Sequence, residues 1–261
     1  MRGAKVTLVK KSLSIKIITL FPQFIESFVD SFGIVKRAIK LKLLNIQAVN
    51  LRDYGLDERK TVDNPPYGGG VGMVLRADVL YKAIQAAGKF QISNFKFQKK
   101  SKAKNLKSRI ILLTPQGKKF EQADAKRLAK YDNLVFVCGR YEGFDERIRG
   151  FVDEELSIGD YVLMGGELPS LVISEAVMRL RPGILGKLES TDKESFSESI
   201  LEYPQYTKPE KWKVESGKWK GKTIKVPEVL LTGHHGNIKK WREKEALRRT
   251  KKRRPDLLKK D

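Results

Sequence analysis

Short runs of branched apolar residues alternate, along the first two thirds of the chain, with stretches whose apolar residues recur at helical spacing. Apolar runs that end in turn residues are typical of strands buried in an α/β sheet. Strands alternating with helices favour a mainly parallel sheet, so the predicted fold class is α/β. The predicted strands are Ile15–Leu20, Ile46–Asn50, Ile110–Leu113, Leu134–Val137 and Glu154–Ser157. The predicted helices are Phe24–Val29, Val35–Lys40, Val79–Ala87, Phe120–Lys130, Asp145–Gly150 and Ser170–Arg181.

The last third of the chain breaks this pattern. It is short, basic and poor in apolar residues, with a helix predicted from Asn237 to Leu247, so we expect it to have little stability of its own. We therefore predict two domains with a polar linker between them. The predicted segments are a basic extension at 1–13, a domain at 14–185 with a basic insertion at 88–109, a linker at 186–202 and a small basic helical domain at 203–261.

The positive charge is concentrated in three segments. The formal net charge is +22, and residues 1–16 carry five Lys or Arg with no acid, residues 89–109 eight with none, and residues 211–261 eighteen against six acids. The rest of the chain is close to neutral. A near-neutral body with basic appendages is typical of proteins that bind a polyanion such as RNA. A solvated, solubilising surface is the alternative for each segment taken alone.

Cysteine and apolar content limit where the protein works. Cys138 is the only cysteine, which excludes an internal disulfide and favours a reducing compartment. The apolar run Ile15–Phe21 is too short to span a membrane, and the first sixteen residues lack the pattern of a secretory signal. These features predict a cytoplasmic protein without a membrane partner.

Three loops rich in glycine and proline carry the candidate chemistry. Thr114–Gly117 and Cys138–Gly143 each follow a predicted strand, and Ser157–Pro169 follows a third. Ligands of open α/β sheets bind at the carboxyl ends of the strands, where glycine lets backbone amides and carbonyls come close. The three loops together predict a small-molecule site built largely from backbone.

Four motifs in and around these loops resemble the bacterial tRNA (guanine-37-N1)-methyltransferase family, TrmD. The colinear similarity runs from about Ile15 to about Leu258. The motifs are VCGRYEGFDER at Val137–Arg147, SIGDYVLMGGELP at Ser157–Pro169, TVDNPPYGGGVGM at Thr61–Met73 and TGHH at Thr232–His235.

The family resemblance implies a different fold from the one that the apolar pattern predicts, and it also implies a reaction and an oligomeric state. Periodicity alone predicts a Rossmann-like first domain, whereas the family has the SPOUT fold, in which the cofactor loops belong to a deep trefoil knot. It also implies methyl transfer from S-adenosylmethionine to N1 of the guanosine at position 37 of tRNA, next to the anticodon. The implied protein is a homodimer with shared active sites: cofactor loops and an arginine come from one chain, and linker and C-terminal domain from the other.

The resemblance assigns the cofactor to the three loops. Backbone groups there would read the adenine edge while Ile158 and Leu163 cover the ring. Glu142 could hold the amino end of the cofactor's methionine or a Mg²⁺ ion. Adjacent histidines at 234 and 235 are not placed to share a metal, and no metal-ligand cluster is predicted. The implied cofactor-binding residues are Leu113, Thr114, Pro115, Gly139, Tyr141, Ile158, Gly159, Asp160, Tyr161, Val162, Leu163, Gly165, Gly166 and Pro169.

Guanine N1 carries a proton, so the reaction needs a base near N1 and a positive group for the charge that develops on O6. Arg179 matches the family's arginine on the helix after Pro169. Glu194 stands where the family has aspartate, with Asp192 as the alternative base. Ser195 and Glu202 match positions that contact the target guanine, and Glu202 again replaces an aspartate.

The basic runs Lys239–Lys244 and Arg248–Arg254 would meet phosphates of the anticodon stem-loop. Two other functions stay open at this point. One is a knotted methyltransferase acting on a different RNA site. The other is a basic RNA-binding relative that lost catalysis through the two replacements of aspartate by glutamate.

Overall fold

The computed structural model describes residues 12–88, 107–185, 195–196 and 199–258. The chain divides into two compact units, Met1–Leu188 and Glu189–Asp261. The finer division into extension, linker and RNA-binding domain stays a prediction. The 1–13 extension, the 88–109 insertion and the 186–202 linker lie largely outside the described residues.

A five-stranded parallel sheet forms the centre of the first unit, as the alternation of apolar runs predicted. The order across the sheet is β2-β1-β6-β5-β7. A Rossmann sheet does not have this order, because β6 follows β5 in the chain yet lies between β5 and β1. The trefoil knot stays a prediction. The strands are β1 (Leu13–Thr19), β2 (Leu44–Asn50), β5 (Ser108–Lys119), β6 (Asn133–Cys138) and β7 (Glu154–Ser157), and a separate antiparallel pair consists of β3 (Asp63–Asn64) and β4 (Val74–Leu75).

Helices cover both faces of this sheet. Alternate residues of β6 enter opposite cores: Leu134 and Phe136 pack on one side, Val135 and Val137 on the other. This alternation explains why β6 is apolar from Leu134 to Cys138 and buried along its whole length. The first core packs against α1 (Pro22–Ser31), α2 (Gly33–Lys40), α4 (Gln122–Leu128) and α5 (Glu167–Met178), and the second against α3 (Ala77–Gly88).

An interruption in one strand positions the candidate site. Leu156 of β7 lies opposite both Leu113 and Lys118 of β5, so the four residues between them leave the ladder as a loop. That loop is the predicted Thr114–Gly117 turn, and the strand resumes beyond it rather than ending at Leu113 as predicted. A Cβ on Gly117 would lie 2.6 Å from the carbonyl carbon of Glu155. Only glycine lets the strand return this close to β7.

Two helix predictions needed correction. Residues predicted as an α-helix at Asp145–Gly150 form a 3-10 helix, Glu146–Phe151. The last helix of the unit begins at Glu167 and ends at Met178, so Arg179 is its C-cap rather than a residue of its last turn. Val172 of this helix is half exposed although it is apolar, whereas Ser170 and Ser174 are buried.

The second unit is small and mostly exposed. Its long helix, α6 (His235–Arg253), extends the predicted one at both ends, and His234 is its N-cap. Two short strands that the sequence did not predict, β8 (Lys211–Lys213) and β9 (Thr223–Lys225), form an antiparallel pair. Three 3-10 helices complete the described part: Gly217–Trp219, Glu228–Leu230 and Pro255–Leu258. Across the described ranges of both units, no helix has the length and apolarity that a membrane span requires.

Candidate active site

Three loops converge on a cavity of about 480 Å³ beside the loop that interrupts β5 and the carboxyl ends of β6 and β7. Small-molecule sites typically have volumes of roughly 300–1,000 Å³. Asp160 is not on the wall; its carboxylate lies 3.5 Å from Lys119 Nζ. The other predicted cofactor residues all line the cavity: Leu113, Thr114, Pro115, Gly139, Tyr141, Ile158, Gly159, Tyr161, Val162, Leu163, Gly165, Gly166 and Pro169.

Close backbone approach holds the second and third loops together. The Gly166 amide donates to the Gly139 carbonyl at 3.1 Å. A Cβ on Gly166 would lie 2.7 Å from Cys138 Cα, and backbone at that distance cannot move aside as a flexible side chain can. The loop rich in glycine can therefore pass directly over the end of β6, which leaves backbone groups to form the cavity wall.

A buried polar cluster that sequence reasoning missed lies beneath these loops. Glu167 is only 4% exposed and accepts a hydrogen bond of 2.7 Å from the Thr19 hydroxyl. Its other oxygen lies 3.4 Å from Arg140 Nε, and the Arg140 guanidinium carbon stacks 4.3 Å from the centre of the Phe21 ring. The cluster ties the end of β1, the loop after β6 and the start of α5 together. The Thr19 hydrogen bond and the nearby Arg140 charge compensate the buried Glu167 carboxylate, and removing either partner would leave that charge exposed to the full cost of burial.

Arg149, on the cavity wall, links three further segments through its side-chain contacts. Its guanidinium contacts Glu155, Glu146 at 2.7 Å and the side-chain oxygen of Gln116. One side chain thus joins the 3-10 helix, β7 and the loop interrupting β5. The sequence places these partners in three separate segments, and only the parallel sheet brings them to one edge.

The cysteine beside the cavity has no role as a nucleophile. Cys138 is buried, and burial raises the pKa of its thiol well above the usual value, so the thiol stays protonated. Across the described residues, no three His, Cys, Asp or Glu side chains are grouped to hold a metal ion. Glu142 lies on the cavity wall, and both roles left open for it, the cofactor's amino group and Mg²⁺, stay predictions.

The predicted catalytic residues lie elsewhere in the chain. Arg179 is exposed at the end of α5 and does not line the cavity. In the second unit, the Ser195 hydroxyl accepts a hydrogen bond of 3.0 Å from the Glu202 amide, and a Glu202 carboxylate oxygen accepts one of 2.6 Å from Gln205. Glu194 and Asp192 lie outside the described residues.

The fold and the cavity together define a parallel α/β protein with a backbone-lined small-molecule site at the carboxyl ends of its strands. A sequence profile described as tRNA (Guanine-1)-methyltransferase TrmD matches residues 13–260. The chain belongs to this family.

Curated relatives cover nearly the whole chain. The tRNA (guanine-N(1)-)-methyltransferase of Actinobacillus pleuropneumoniae is 47% identical over 94% of this chain and 90% of its own length. The proteins with that name from Clostridium perfringens and Desulforamulus reducens are 45% and 44% identical, each over 95% of this chain and over 94% and 89% of their own lengths.

Proposed function

We propose that this protein transfers a methyl group from S-adenosylmethionine to N1 of the guanosine at position 37 of tRNA. The observation that carries the proposal is the cavity formed by three loops, within a chain that matches the family from residue 13 to residue 260. The volume and the glycine-rich wall suit an adenosine-containing ligand, since backbone amides and carbonyls can hydrogen-bond its base. A tRNA substrate makes the cytoplasm the proposed place of action.

Side chains of the protein would position the reactants, accept the proton of guanine N1 and stabilise the charge that develops on O6. When bound, S-adenosylmethionine supplies an electrophilic methyl group on a sulfonium that is already a good leaving group. Glu194 accepts the proton of guanine N1, and Arg179 stabilises the negative charge that develops on O6. Ser195 and Glu202 hold the target guanine. Their hydrogen bond to each other supports a common role.

The proposed enzyme is a homodimer with shared active sites. Two helices of the first unit that pack against each other, α1 and α5, leave large apolar side chains about half exposed. Such residues on adjacent helices are typical of surfaces that a second chain covers. They are Phe21 and Phe24 near the start of α1, and Leu168 and Val172 on α5.

The reaction is tested by transfer of labelled methyl groups to two tRNA transcripts. One carries guanosine at positions 36 and 37, and the other carries adenosine at position 37. We expect label on the first transcript only. Label on both would move the reaction to another RNA site. Cofactor binding without any label would indicate the RNA-binding relative that lost catalysis, in which Glu194 cannot replace the family's aspartate.

Sharing of the active site is tested by mixing two inactive variants, Arg179→Ala and Glu194→Gln. In a mixed dimer one site receives both substitutions and the other receives neither, if the two residues come from different chains. Random mixing in equal amounts then restores about a quarter of the wild-type activity. If both residues act within one chain, every mixture stays inactive, and the shared site is ruled out.

A further inference from the structure

The second unit carries a short antiparallel hairpin that stands in solvent, residues 211–225, here called the Lys/Trp hairpin. Its strands β8 and β9 are exposed at every position. The connecting segment is held by hydrogen bonds from the Val214 amide to the Lys222 carbonyl and from the Gly221 amide to the Val214 carbonyl. Two isolated strands are marginally stable in water. Burial in a hydrophobic core therefore does not account for this hairpin, and its exposed surface is the feature to explain.

The hairpin exposes its largest apolar side chains. Trp212 is 58% exposed and Trp219 is 53% exposed. Trp212 lies directly opposite Ile224 in the strand register, so the two side chains share one face of the hairpin. Trp219 lies in the turn, with Lys222 Nζ 5.0 Å from the centre of its ring. Trp241 of α6, by contrast, is half-buried, and its ring centre lies 6.3 Å from that of Tyr206.

Positive charge surrounds these rings. The Lys/Trp hairpin has six lysines and one acid, Glu215. Lys211 and Lys225 are direct cross-strand neighbours, an arrangement that destabilises a strand pair. Within the described part of the chain, no carboxylate forms an ion pair with a lysine of this hairpin. Positive charge concentrated around exposed aromatic rings attracts an anionic partner.

We propose that the Lys/Trp hairpin is an RNA-binding surface that takes unpaired nucleotides. Bases stack on Trp212 and Trp219, and the lysines contact the phosphates on either side. Tryptophan rings stack on bases of any sequence, and lysines beside them recognise the backbone, which is the pattern of single-strand binding surfaces. That the RNA is the tRNA substrate rests on the proposed function.

An anionic membrane surface is the other partner that tryptophan and lysine can suit. It is disfavoured because the apolar residues do not form a continuous face. Trp212 and Ile224 make one small pair, while Trp219 lies separately in the turn with a lysine beside its ring. Shallow insertion into a bilayer requires a broad apolar face. Stacking of single bases requires only isolated rings.

Tryptophan fluorescence provides the test. The chain has three tryptophans, so Trp241→Phe leaves Trp212 and Trp219 as the reporters. The probes are a single-stranded RNA dodecamer, the same sequence as a duplex, and vesicles of anionic phospholipid. We expect saturable quenching by the single strand, with much weaker binding of the duplex. In the same background, Trp212→Ala and Trp219→Ala should each lower affinity for the single strand about fivefold or more. Trp219→Phe should retain most of it.

Charge is tested separately from stacking. Replacing both Lys211 and Lys225 by Gln should flatten the dependence of log affinity on log salt concentration by about 0.7 for each lysine. The matched control removes two exposed lysines of the first unit, Lys40 and Lys82, and should leave that dependence unchanged. Circular dichroism of every variant shows whether α6 remains folded.

Three outcomes would overturn the proposal. One is equal binding of single strand and duplex with no effect of the tryptophan substitutions. Another is a vesicle-induced blue shift with no quenching by RNA, which would indicate the membrane instead. The third is methyl transfer to tRNA by the wild-type protein without any response of hairpin fluorescence to RNA. Conversely, hairpin quenching by RNA in a protein that transfers no methyl group would sink the proposed function and leave the hairpin's RNA binding intact.

Discussion

The two units of this protein use their residues in opposite ways. The first buries both faces of a parallel sheet, whereas among the described residues of the second only Ala246 and Thr250 are buried. The second unit instead exposes lysines, arginines and aromatic rings. Apolar burial is the main source of folding free energy, so the first unit can be stable by itself while the second has little to spare. We infer that the first unit is built to hold a small ligand in fixed geometry. We infer that the second unit, with little apolar burial of its own, is stabilised further when it binds RNA.

The largest expected difference between the two units is the loss of stability when a buried aromatic ring is removed from the first and an exposed one from the second. Phe136 is fully buried in the central strand β6. Phe136→Ala should lower the unfolding free energy of the first unit by about 3–5 kcal/mol, because it leaves a cavity in a packed core. Trp212→Ala removes a larger but exposed ring and should change stability by no more than about 0.5 kcal/mol.

Scanning calorimetry of both variants measures these effects. We expect two transitions in the wild type, with only the upper one moved by Phe136→Ala. Added tRNA should raise the lower transition more than the upper one, since binding stabilises the unit that it engages. A single transition shifted equally by both substitutions would remove the contrast between the units.

A second test concerns the backbone of the cavity. Gly166→Ala places a Cβ 2.7 Å from Cys138 Cα. The loop must move away from β6, which should cost about 1–3 kcal/mol of stability and abolish most cofactor binding. The control is Gly150→Ala in the adjacent 3-10 helix, where a Cβ meets nothing within 4 Å. Isothermal titration with S-adenosylhomocysteine compares the two. Equal affinities would show that the close approach does not shape the cavity.

Most strands and helices of the first unit could be predicted from its sequence, because each is determined by the pattern of residues within it and at its ends. Leu134–Val137 is a short continuous apolar run followed by a glycine-containing turn, a pattern that favours a buried strand, and the loop at Cys138–Gly143 marks where that strand ends. The strand order could not be predicted, since nothing in β5 or β6 says which of them neighbours β1. The cluster of Thr19, Arg140 and Glu167 was also missed. Its members are up to 148 positions apart, and only the folded sheet brings them together.

The second unit was harder to predict for a related reason. The alternation of apolar and polar residues in the Lys/Trp hairpin is short, Lys211–Val214 on one strand and Thr223–Val226 on the other, and it lies at the lower limit of what indicates a strand. The resemblance supplied Glu202 and Ser195 as partners in one site, and their hydrogen bond is a finding of the structure. The spacing of apolar residues indicates which side chains are buried in a core. It does not indicate which exposed side chains contact RNA.

Acid provides a third test, since the first unit depends on carboxylates that are paired with arginines. Burial alone would raise the pKa of Glu154, but hydrogen bonds from Arg127 and Arg109 outweigh burial and lower it. A carboxylate with a lowered pKa stabilises the fold fully above its unfolded value of about 4.3. That contribution is lost as the pH falls through the folded pKa.

Glu154→Gln should therefore lower the stability of the first unit by about 1–2 kcal/mol at pH 7, and by progressively less below pH 4. Urea unfolding from pH 3 to pH 7 measures the difference. Glu58→Gln, at an exposed position, is the control and should follow the wild type throughout. A constant gap between Glu154→Gln and the wild type over this range would mean that packing rather than charge accounts for the loss.

The smallest effect is expected in the second unit and has the opposite sign. Gly236 lies in the first turn of α6, where an added Cβ meets nothing within 4 Å. Gly236→Ala removes conformational freedom from the unfolded chain and should stabilise the second unit by about 0.5 kcal/mol. Because this unit has little stability to begin with, the lower calorimetric transition should rise while the upper one stays in place. Methyl transfer at saturating tRNA should be unaffected. If the upper transition rose as well, the two units would unfold together, and the contrast between a self-stabilised fold and a partner-stabilised one would have to be abandoned.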